Sequence, residues 1–363
     1  MKNTFGNYLS LTLFGESHGE YIGAVIDGMT PGVKIDHDEI KSALQKRRPK
    51  GKIATSRVEE DEYKIISGEY RGYTTGTPLT VIIPNQNKKS GDYSDIENTP
   101  RPAHADYTAE MKYHGYQDKR GGGHFSGRIT AALVAVGGII RPMLEKKGVR
   151  IATHIAEYEN ISDRGFSNLD EDIKILKDRE FPTLSTEVEE KIIALGEEVR
   201  SLGDSVGGVL ETIVLGMPSG LGEPWFDTIE GLISHAVFSI PAIKGIEFGK
   251  GFELSKMRGS QANDAFEIIN GEVYTKTNNN GGVNGGITNG MPITFRSAVK
   301  PTPSIAIEQD TVDLVKKENT KIKIAGRHDS SIIQRVAPVV DAIAAFVMAD
   351  VLIGRFGTDY FLD

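Results

Sequence analysis

The sequence predicts a soluble α+β protein in which sheets and helices are layered together. Short β-like runs alternate with helix-like segments along all 363 residues, and nothing resembles a long disordered linker. The composition, 39% hydrophobic and 25% charged, provides enough apolar material for a substantial core. Glycine is frequent, with 41 residues and no collagen-like period, which indicates tight turns and close approaches of the backbone.

The first third of the chain predicts strands separated by glycine-rich turns. A helix is predicted at 36–48, because Asp36 or Asp38 stands near its start, its cations fall in the last turn and Pro49 closes it. Runs rich in β-branched and aromatic residues predict strands at 8–14, 22–28, 63–70 and 78–84.

The rest of the chain alternates in the same way. Small residues between 129 and 147 predict a helix packed tightly on its neighbours, and the charged block at 157–204 predicts peripheral helices rather than chemistry. The stretch 207–218 predicts a strand, and 293–304 predicts a strand that runs into a proline-fixed turn. The stretch 229–245 predicts a helix that ends in a Pro-containing loop, 277–292 a Gly/Asn-rich loop and 336–356 a helix.

Charge and composition also exclude several classes of protein. The net charge of −8 argues against a nucleic-acid binder, since neutralising phosphates requires a basic face. Cysteine is absent, which excludes disulfides and thiolate sites and suits a reducing compartment. The longest apolar run, near 131–140, is too short to span a bilayer, and no apolar leader core opens the chain. We therefore expect a cytoplasmic protein that binds neither membranes nor nucleic acid.

The stretch RGGGHFSGR (120–128) runs directly into the predicted helix at 129–147. Because a helix N-terminus presents unpaired N–H groups, this junction predicts an anion-binding turn, the alternative being a plain connector. The dinucleotide pattern GxGxxG fails at Ser126, and the P-loop pattern fails because Arg128 and Ile129 stand where Lys and Ser/Thr are required.

Five further stretches concentrate polar side chains in turns: GESHG (15–19), KRRPKGK (46–52), RPAHAD (101–106), KPTPS (300–304) and GRHDSSIIQR (326–335). Each also has a plainer interpretation. GESHG is not the GxSxG hydrolase motif, His104 fits a buried core histidine, and the other stretches fit a basic surface patch or stiff turns. A metal site is not expected, because no histidines form HExxH or HxH pairs.

Taken together, these stretches indicate an enzyme that acts on a small polyanion by histidine acid–base chemistry. The residues alone do not name the reaction. The histidines in Gly- or Arg-rich turns are His18, His104, His124 and His328. The guanidinium groups that several negative charges would require come from Arg47, Arg48, Arg101, Arg128, Arg327 and Arg335.

The order of these motifs resembles that of the chorismate synthase family. It runs through GESHG, RRP, RPAHADYT, RGGGHFSGR, GIEFGKGF, NNNGGVNGG, KPTPS and GRHD. The resemblance covers nearly the whole chain, so it implies a single domain over 1–363 with only the charged block near 157–204 free to vary. It also implies a β-α-β sandwich, with helices packed between antiparallel sheets, and a homotetramer.

The implied reaction converts 5-enolpyruvylshikimate 3-phosphate to chorismate and phosphate by a 1,4-anti elimination that requires reduced FMN. By resemblance, His18 lies near the reduced flavin, His104 protonates the departing phosphate, and Asp329 helps the flavin N5 act as base. Ser17 and Ser126 match serines that support this proton network. The arginines that match substrate or NADP contacts are Arg47, Arg48, Arg101 and Arg128.

The cofactor contacts that the resemblance implies all fall in turns. They are Phe125, Ser126, Gly127, Pro241, Ala242, Gly285, Lys300, Pro301, Thr302, Pro303, Ser304 and Arg327.

The chain departs from the family's GGGRSSAR pattern, since His124, Phe125 and Gly127 replace Arg, Ser and Ala. Near Ile53 the family often carries an arginine that is linked with NADPH use, for which Lys52 or Arg57 can substitute. Whether the protein reduces its own flavin with NADPH therefore stays open.

Two other functions also stay open at this point. One is a flavin oxidoreductase with net hydride transfer, although no dinucleotide fingerprint is present. The other is a non-catalytic protein that binds polyanions.

Overall fold

The computed structural model describes residues 2–49, 51, 53, 60–86, 98–324 and 329–362. Its strands are β1 (Thr4–Phe5), β2 (Ser10–Gly15), β3 (Tyr21–Asp27), β4 (Lys64–Ser67), β5 (Glu69–Tyr70), β6 (Tyr73–Thr74), β7 (Leu79–Pro84), β8 (Arg150–Tyr158), β9 (Ile161–Ser162), β10 (Gly208–Leu215), β11 (Ile243–Phe248), β12 (Phe266–Ile269), β13 (Glu272–Thr275), β14 (Val283–Asn284), β15 (Ile287–Thr288), β16 (Ile293–Val299), β17 (Gln309–Asp313) and β18 (Glu318–Ile322). Its α-helices are α1 (His37–Arg47), α2 (Asp106–Tyr113), α3 (Thr130–Lys146), α4 (Leu169–Asp178), α5 (Thr186–Ser201), α6 (Ile229–Val237), α7 (Gly259–Ala262) and α8 (Ile333–Phe356).

Two five-stranded antiparallel sheets form the outer layers of the described structure. The first has the strand order β1-β2-β3-β7-β4 and the second has the order β11-β16-β10-β8-β9. In β7 the residues Leu79, Val81 and Ile83 are buried and their neighbours are not, which is the period of two expected for a strand with one face on the core.

The longer helices lie between the two sheets. Helix α3 contacts β3 and β7 of the first sheet and β8 of the second, whereas α8 contacts β8 and β10 and packs along α3 and α1. Glycines make the helix contacts close: a Cβ on Gly137 would lie 2.4 Å from the Cβ of Ala342. This arrangement confirms the predicted α+β fold and the implied β-α-β sandwich.

Several predicted boundaries are wrong. The predicted helix within 229–245 ends at Val237, ahead of the predicted Pro-containing loop in which Ala242 adopts a left-handed φ of +77°, but residues 243–245 belong to a strand. This strand is β11, an edge strand of the second sheet. The block at 157–204 is also not helical throughout, since it opens with the end of β8 and with β9 before α4 and α5 begin.

Other differences are smaller. The strand at 63–70 is interrupted at Gly68, and α8 begins three residues earlier than expected. The strand within 293–304 ends at Val299, where the predicted proline-containing turn begins. The Gly/Asn-rich loop contains the short pair β14–β15, and Asp264 holds its start by accepting the backbone N–H groups of Asn279 and Asn280 at 2.7 and 2.9 Å. Helix α2 and the hairpins β12–β13 and β17–β18 were not anticipated.

Two described helical segments, Gly127–Lys146 and Ile333–Phe356, are long and apolar enough to cross a membrane by length and composition alone. The second is longer than the run near 131–140, but Asp341 and Asp350 interrupt its apolar residues. However, 78% and 89% of their most apolar windows are buried inside the protein. Burial of this extent is typical of core helices.

Candidate functional site

The polar turns that the sequence singles out converge at one end of the sandwich. In the first sheet, Gly15 pairs with Ile22 and Tyr21 pairs with Pro84. The GESHG turn and Asn85 therefore lie at the same end of this sheet. The glycine-rich turns before α3 and the C-terminus of α1 lie against this end of the sheet. The KPTPS turn reaches it from the second sheet, where it follows β16.

The glycine-rich stretch packs directly on His18. Ser17 donates its backbone N–H to the carbonyl of Gly123 at 3.1 Å, and its Oγ lies 3.0 Å from His18 Nδ1. Gly121 has a φ of +70°, and a Cβ there would lie 2.6 Å from His18 Cε1. Since both Ser17 and His18 are buried, the absence of a side chain at Gly121 provides space that this imidazole occupies.

Asp106 orients the two predicted site residues of RPAHAD. Its Oδ2 accepts from Arg101 Nε at 2.7 Å, and its Oδ1 accepts from Arg101 Nη2 at 2.7 Å and lies 2.6 Å from His104 Nδ1. Burial alone would raise the pKa of this carboxyl, but the bonds from Arg101 and His104 hold the pKa of Asp106 well below its ordinary value. Asp106 is therefore ionised over the whole neutral range.

An ionised Asp106 also decides which nitrogen of His104 carries the proton. A carboxylate only accepts, so the 2.6 Å contact requires that Nδ1 donate. Arg101 Nη2 lies 3.1 Å from the same nitrogen and cannot donate to it in this tautomer. The Nε2 atom is then the one that exchanges a proton with a bound molecule. Sequence reasoning assigned Asp106 no role, although a carboxylate two residues after a histidine is a usable signal.

Arg101 connects this group to the other turns. Its Nη2 donates to the carbonyl of Gly121 at 2.8 Å, and its Nη1 lies 3.4 Å from Ser304 Oγ in the KPTPS turn. Lys300 Nζ donates to the carbonyl of Ala103, and its backbone N–H donates to Ala242 at 2.9 Å. The structure thus brings together His18, His104, the KPTPS turn and the Pro241–Ala242 turn.

Asp61 links two further predicted arginines and was missed altogether. It accepts from Arg128 Nη1 and lies 3.4 Å from Arg47 Nη1, with all three side chains buried. Arg47 also donates to the carbonyl of Gly127 at 2.8 Å, and Arg128 donates to Asn85 Oδ1 at 2.9 Å. Asp61 thus holds two guanidinium groups in one buried cluster.

Ser126 and Phe125 occupy the turn before α3. Ser126 Oγ accepts the backbone N–H of Arg128 at 3.2 Å and so caps this turn, while its predicted catalytic role stays a prediction. Phe125 is 38% exposed, and its ring packs edge-on against Tyr113. The same ring lines a surface pocket together with His104 and Asp106.

Asp329 lies at the start of α8 on the margin of the cluster. Its Oδ2 accepts from Arg335 Nη1 at 2.8 Å, and Arg335 Nε donates to the carbonyl of Arg47 at 3.3 Å. Asp329 is thereby tied to the end of α1. The predicted residues Arg327 and His328, and the candidate substitutes Lys52 and Arg57, lie outside the described residues.

Within this chain, Gly285 lies away from the cluster. It is exposed in the turn between β14 and β15, whereas the KPTPS turn follows the opposite end of β16. The seven residues of β16 separate the two places by roughly 20 Å. Its cofactor contact stays a prediction. His124, which replaces the family's arginine, contacts the carbonyl of Gly15 through Nδ1 at 2.8 Å and so ties two turns together.

Two buried polar atoms identify where a bound molecule would find hydrogen-bond partners. Arg48 Nε and Thr302 Oγ1 have no partner among the described residues. Both belong to the predicted anion and cofactor contacts, and a buried donor without a partner costs about 1–3 kcal/mol unless a ligand or water satisfies it.

Comparison with known proteins gives concordant results. The family model for chorismate synthase matches residues 9–353. The chain is 46% identical over 351 residues to the chorismate synthase of Thermococcus kodakarensis, covering 96% of this chain and 97% of that one. It is 47% identical over 350 residues to the chorismate synthase of Pyrococcus abyssi, with the same coverage. A crystal structure of chorismate synthase superposes with a TM-score of 0.77 at 29% identity, covering 98% of this chain and 95% of that one.

Proposed function

Because the chain belongs to the chorismate synthase family, we propose that it is the lyase that converts 5-enolpyruvylshikimate 3-phosphate to chorismate and phosphate in the shikimate pathway. In this 1,4-anti elimination a ring proton and the phosphate leave and a new C=C bond forms, with no net redox change. The observation that carries the proposal is the group in which Asp106 orients Arg101 and His104 beside the KPTPS turn.

The charge of the site suits this substrate. The substrate bears two carboxylates and a phosphate, which call for several fixed donors and at least one uncompensated cation. The cluster around Asp61 offers the two buried guanidinium groups of Arg47 and Arg128, and Arg48 Nε has no partner among the described residues. Lys300 adds a further cation beside Arg101, and burial lowers its pKa, so a bound anion would stabilise its charged form.

His104 has the geometry of a general acid for the departing phosphate. The Asp106 carboxylate holds Nδ1 as a donor, so Nε2 is the nitrogen that can carry and release a second proton. Protonation of the phosphate oxygen reduces the charge that the leaving group must bear as the C–O bond breaks. Arg101, fixed by the same carboxylate, stabilises the anion from the side.

His18 is the second candidate for proton transfer. Its imidazole is enclosed by Ser17 and by the Gly121 backbone, which fix the ring and leave little room for water. Enclosure of this kind keeps a proton carrier in one orientation through the reaction. Asp329, held by Arg335, matches the family's third proton-transfer residue, and its role is part of this proposal.

The residues present also fit reduced FMN. When bound, this cofactor supplies electron density that assists the departure of phosphate. Thr302 offers a buried hydroxyl that has no partner among the described residues, and Ser304 Oγ lies beside Arg101. Phe125 presents an exposed ring at the mouth of the pocket. Cytoplasmic location, a single domain, a homotetramer and NADPH as the reductant are further parts of the proposal that rest on the resemblance alone.

The test is phosphate release from 5-enolpyruvylshikimate 3-phosphate under anaerobic conditions, with dithionite-reduced FMN, with oxidised FMN and without flavin. We expect chorismate and phosphate in equal amounts, and many turnovers for each reduced FMN. One product per reduced flavin would instead indicate an oxidoreductase with net hydride transfer. Absence of phosphate release with reduced FMN would overturn the assignment.

A further inference from the structure

A second cavity, which we call the back cavity, lies behind the helix ends that carry Arg47 and Arg335. It has a volume of about 230 Å³, and its walls come from α1, α3, α4, β8 and α8. Lys46 and Gln334 line it, whereas the residues that follow them, Arg47 and Arg335, belong to the candidate active site. The back cavity and the pocket beside His104 have no lining residue in common.

Gln334 gives the back cavity its most unusual feature. The residue is only 7% exposed, and neither Oε1 nor Nε2 has a hydrogen-bond partner among the described residues. A primary amide offers two donors and an acceptor, and burying such a group without partners is destabilising. A glutamine at this position of a core helix is explained if a bound molecule satisfies its amide.

The cationic groups around the back cavity have spare donors. Lys46 Nζ donates to the carbonyls of Leu176 and Lys177 at 2.9 and 2.7 Å, which leaves one of its three N–H groups for another acceptor. Arg141 Nη2 donates to the carbonyl of Ile151 at 3.2 Å, while its Nη1 lies 3.7 Å from Asp341, too far for a hydrogen bond. Burial lowers the pKa of Lys46, as expected for an ammonium group short of anionic partners.

The acceptors in the walls do not balance these donors. Six of the lining side chains are cationic and four are acidic, and two of the cations, Lys177 and Arg179, also pair with Glu39 and Glu189 outside the lining. Asp341 already accepts from Thr153 Oγ1 at 2.6 Å, and burial raises its pKa, which further favours its uncharged form. A small acceptor-rich molecule with negative charge is what the remaining donors would bind.

We propose that the back cavity binds a small oxyanion, a carboxylate or a phosphate, between Lys46, Arg141 and the amide of Gln334. Binding here does not depend on the reaction proposed for the other cavity. The bound oxyanion would contact the ends of α1 and α8, which also carry Arg47 and Arg335 of the candidate active site.

The test compares thermal unfolding in increasing malonate and, separately, in increasing inorganic phosphate. The variant is Gln334→Met, which keeps the volume and removes the amide, with Gln334→Leu as a second replacement should the first perturb the fold. The matched control is Gln309→Met, because Gln309 Nε2 is also buried without a partner among the described residues but does not line the back cavity. Anion binding in the active site is common to all these proteins and cancels in the comparison.

We expect at least one anion to raise the unfolding midpoint of the wild-type protein and of Gln309→Met equally. In the Gln334 variants the apparent dissociation constant for that anion should be about tenfold higher, as loss of one hydrogen bond to a charged group would give. A response to malonate alone would identify a carboxylate ligand, and a response to phosphate alone a phosphate ligand. Equal responses of the wild-type protein and the Gln334 variants, or no response to either anion, would overturn the proposal.

Discussion

Replacement of Asp106 by asparagine tests whether one carboxylate organises the proposed active site. Asp106→Asn keeps the size of the side chain but removes its charge and turns one acceptor into a donor. That NH₂ group would then face Arg101 or His104, which already present donors to both oxygens. We therefore expect both residues to lose their fixed orientation while the fold is retained.

The size of the effect follows from the contacts. Breaking a buried pair by removing one partner costs about 3–5 kcal/mol, and we expect about 3 kcal/mol because the Asp106 side chain is 23% exposed. Folding depresses the pKa of Asp106, so its contribution to stability is present above about pH 4 and is lost as the pH falls through the folded-state pKa. The difference in unfolding free energy between wild type and Asp106→Asn should accordingly shrink in acid. Loss of an oriented general acid should lower kcat/KM by on the order of 10²-fold.

Two measurements check this prediction: denaturant unfolding across acid and neutral pH, and the rate of phosphate release with reduced FMN. Asp172→Asn is the matched control, because Asp172 also binds an arginine through both oxygens and accepts a backbone N–H, but lies outside the candidate site. It should lose stability with no change in kcat/KM for the folded enzyme. Wild-type kcat/KM in folded Asp106→Asn would refute the orientation of His104 by this carboxylate.

Three other substitutions give sharp outcomes. Gly121→Ala should lower kcat for phosphate release at least about tenfold, because the new Cβ would press on His18. Gly127→Ala is its control: the Cβ position there is open space, so kcat should fall less than about twofold in the same assay. Asp61→Asn leaves two buried guanidinium groups without their shared carboxylate and should cost about 3 kcal/mol in denaturant unfolding. Burial opposes the charge of His154, but two carboxylates 2.8 and 3.8 Å away raise its pKa. Its stabilising charge is present below about pH 6.5 and is lost as the pH rises through the raised pKa, so a His154→Gln variant should show a flatter dependence of unfolding free energy on pH.

The elements that sequence reasoning predicted well are those decided by local chemistry. Helix α1 is the clearest case, because Asp36 accepts the backbone N–H groups of Asp38 and Glu39 and Pro49 follows the helix end. Strand β11 was not predicted, for the opposite reason. Whether Ile243–Phe248 continues a helix or pairs with β16 depends on a strand some fifty residues away, and no local pattern encodes that partner.

The same distinction explains which parts of the candidate site were visible in the sequence. Glycine-flanked histidines and clustered arginines stand out locally, and the structure brings His18, His104 and Arg101 into one connected group. The carboxylates that hold them do not stand out. Asp61 lies 67 residues from Arg128 in an unremarkable stretch, and only folding shows that the two form a buried pair.

Pairing of cations with carboxylates also explains how a protein with a net negative charge can bind the proposed polyanionic substrate. Gathering unpaired guanidinium groups in one pocket would be costly, since each like charge raises the free energy of the others. In this protein Arg101 is bound by Asp106, and Arg47 and Arg128 share Asp61, so most of the positive charge is compensated before a substrate arrives. A bound anion then meets a set of donors in fixed directions. Selectivity for a compact anion then comes from the positions of these donors, and the net charge of −8 does not oppose it at short range.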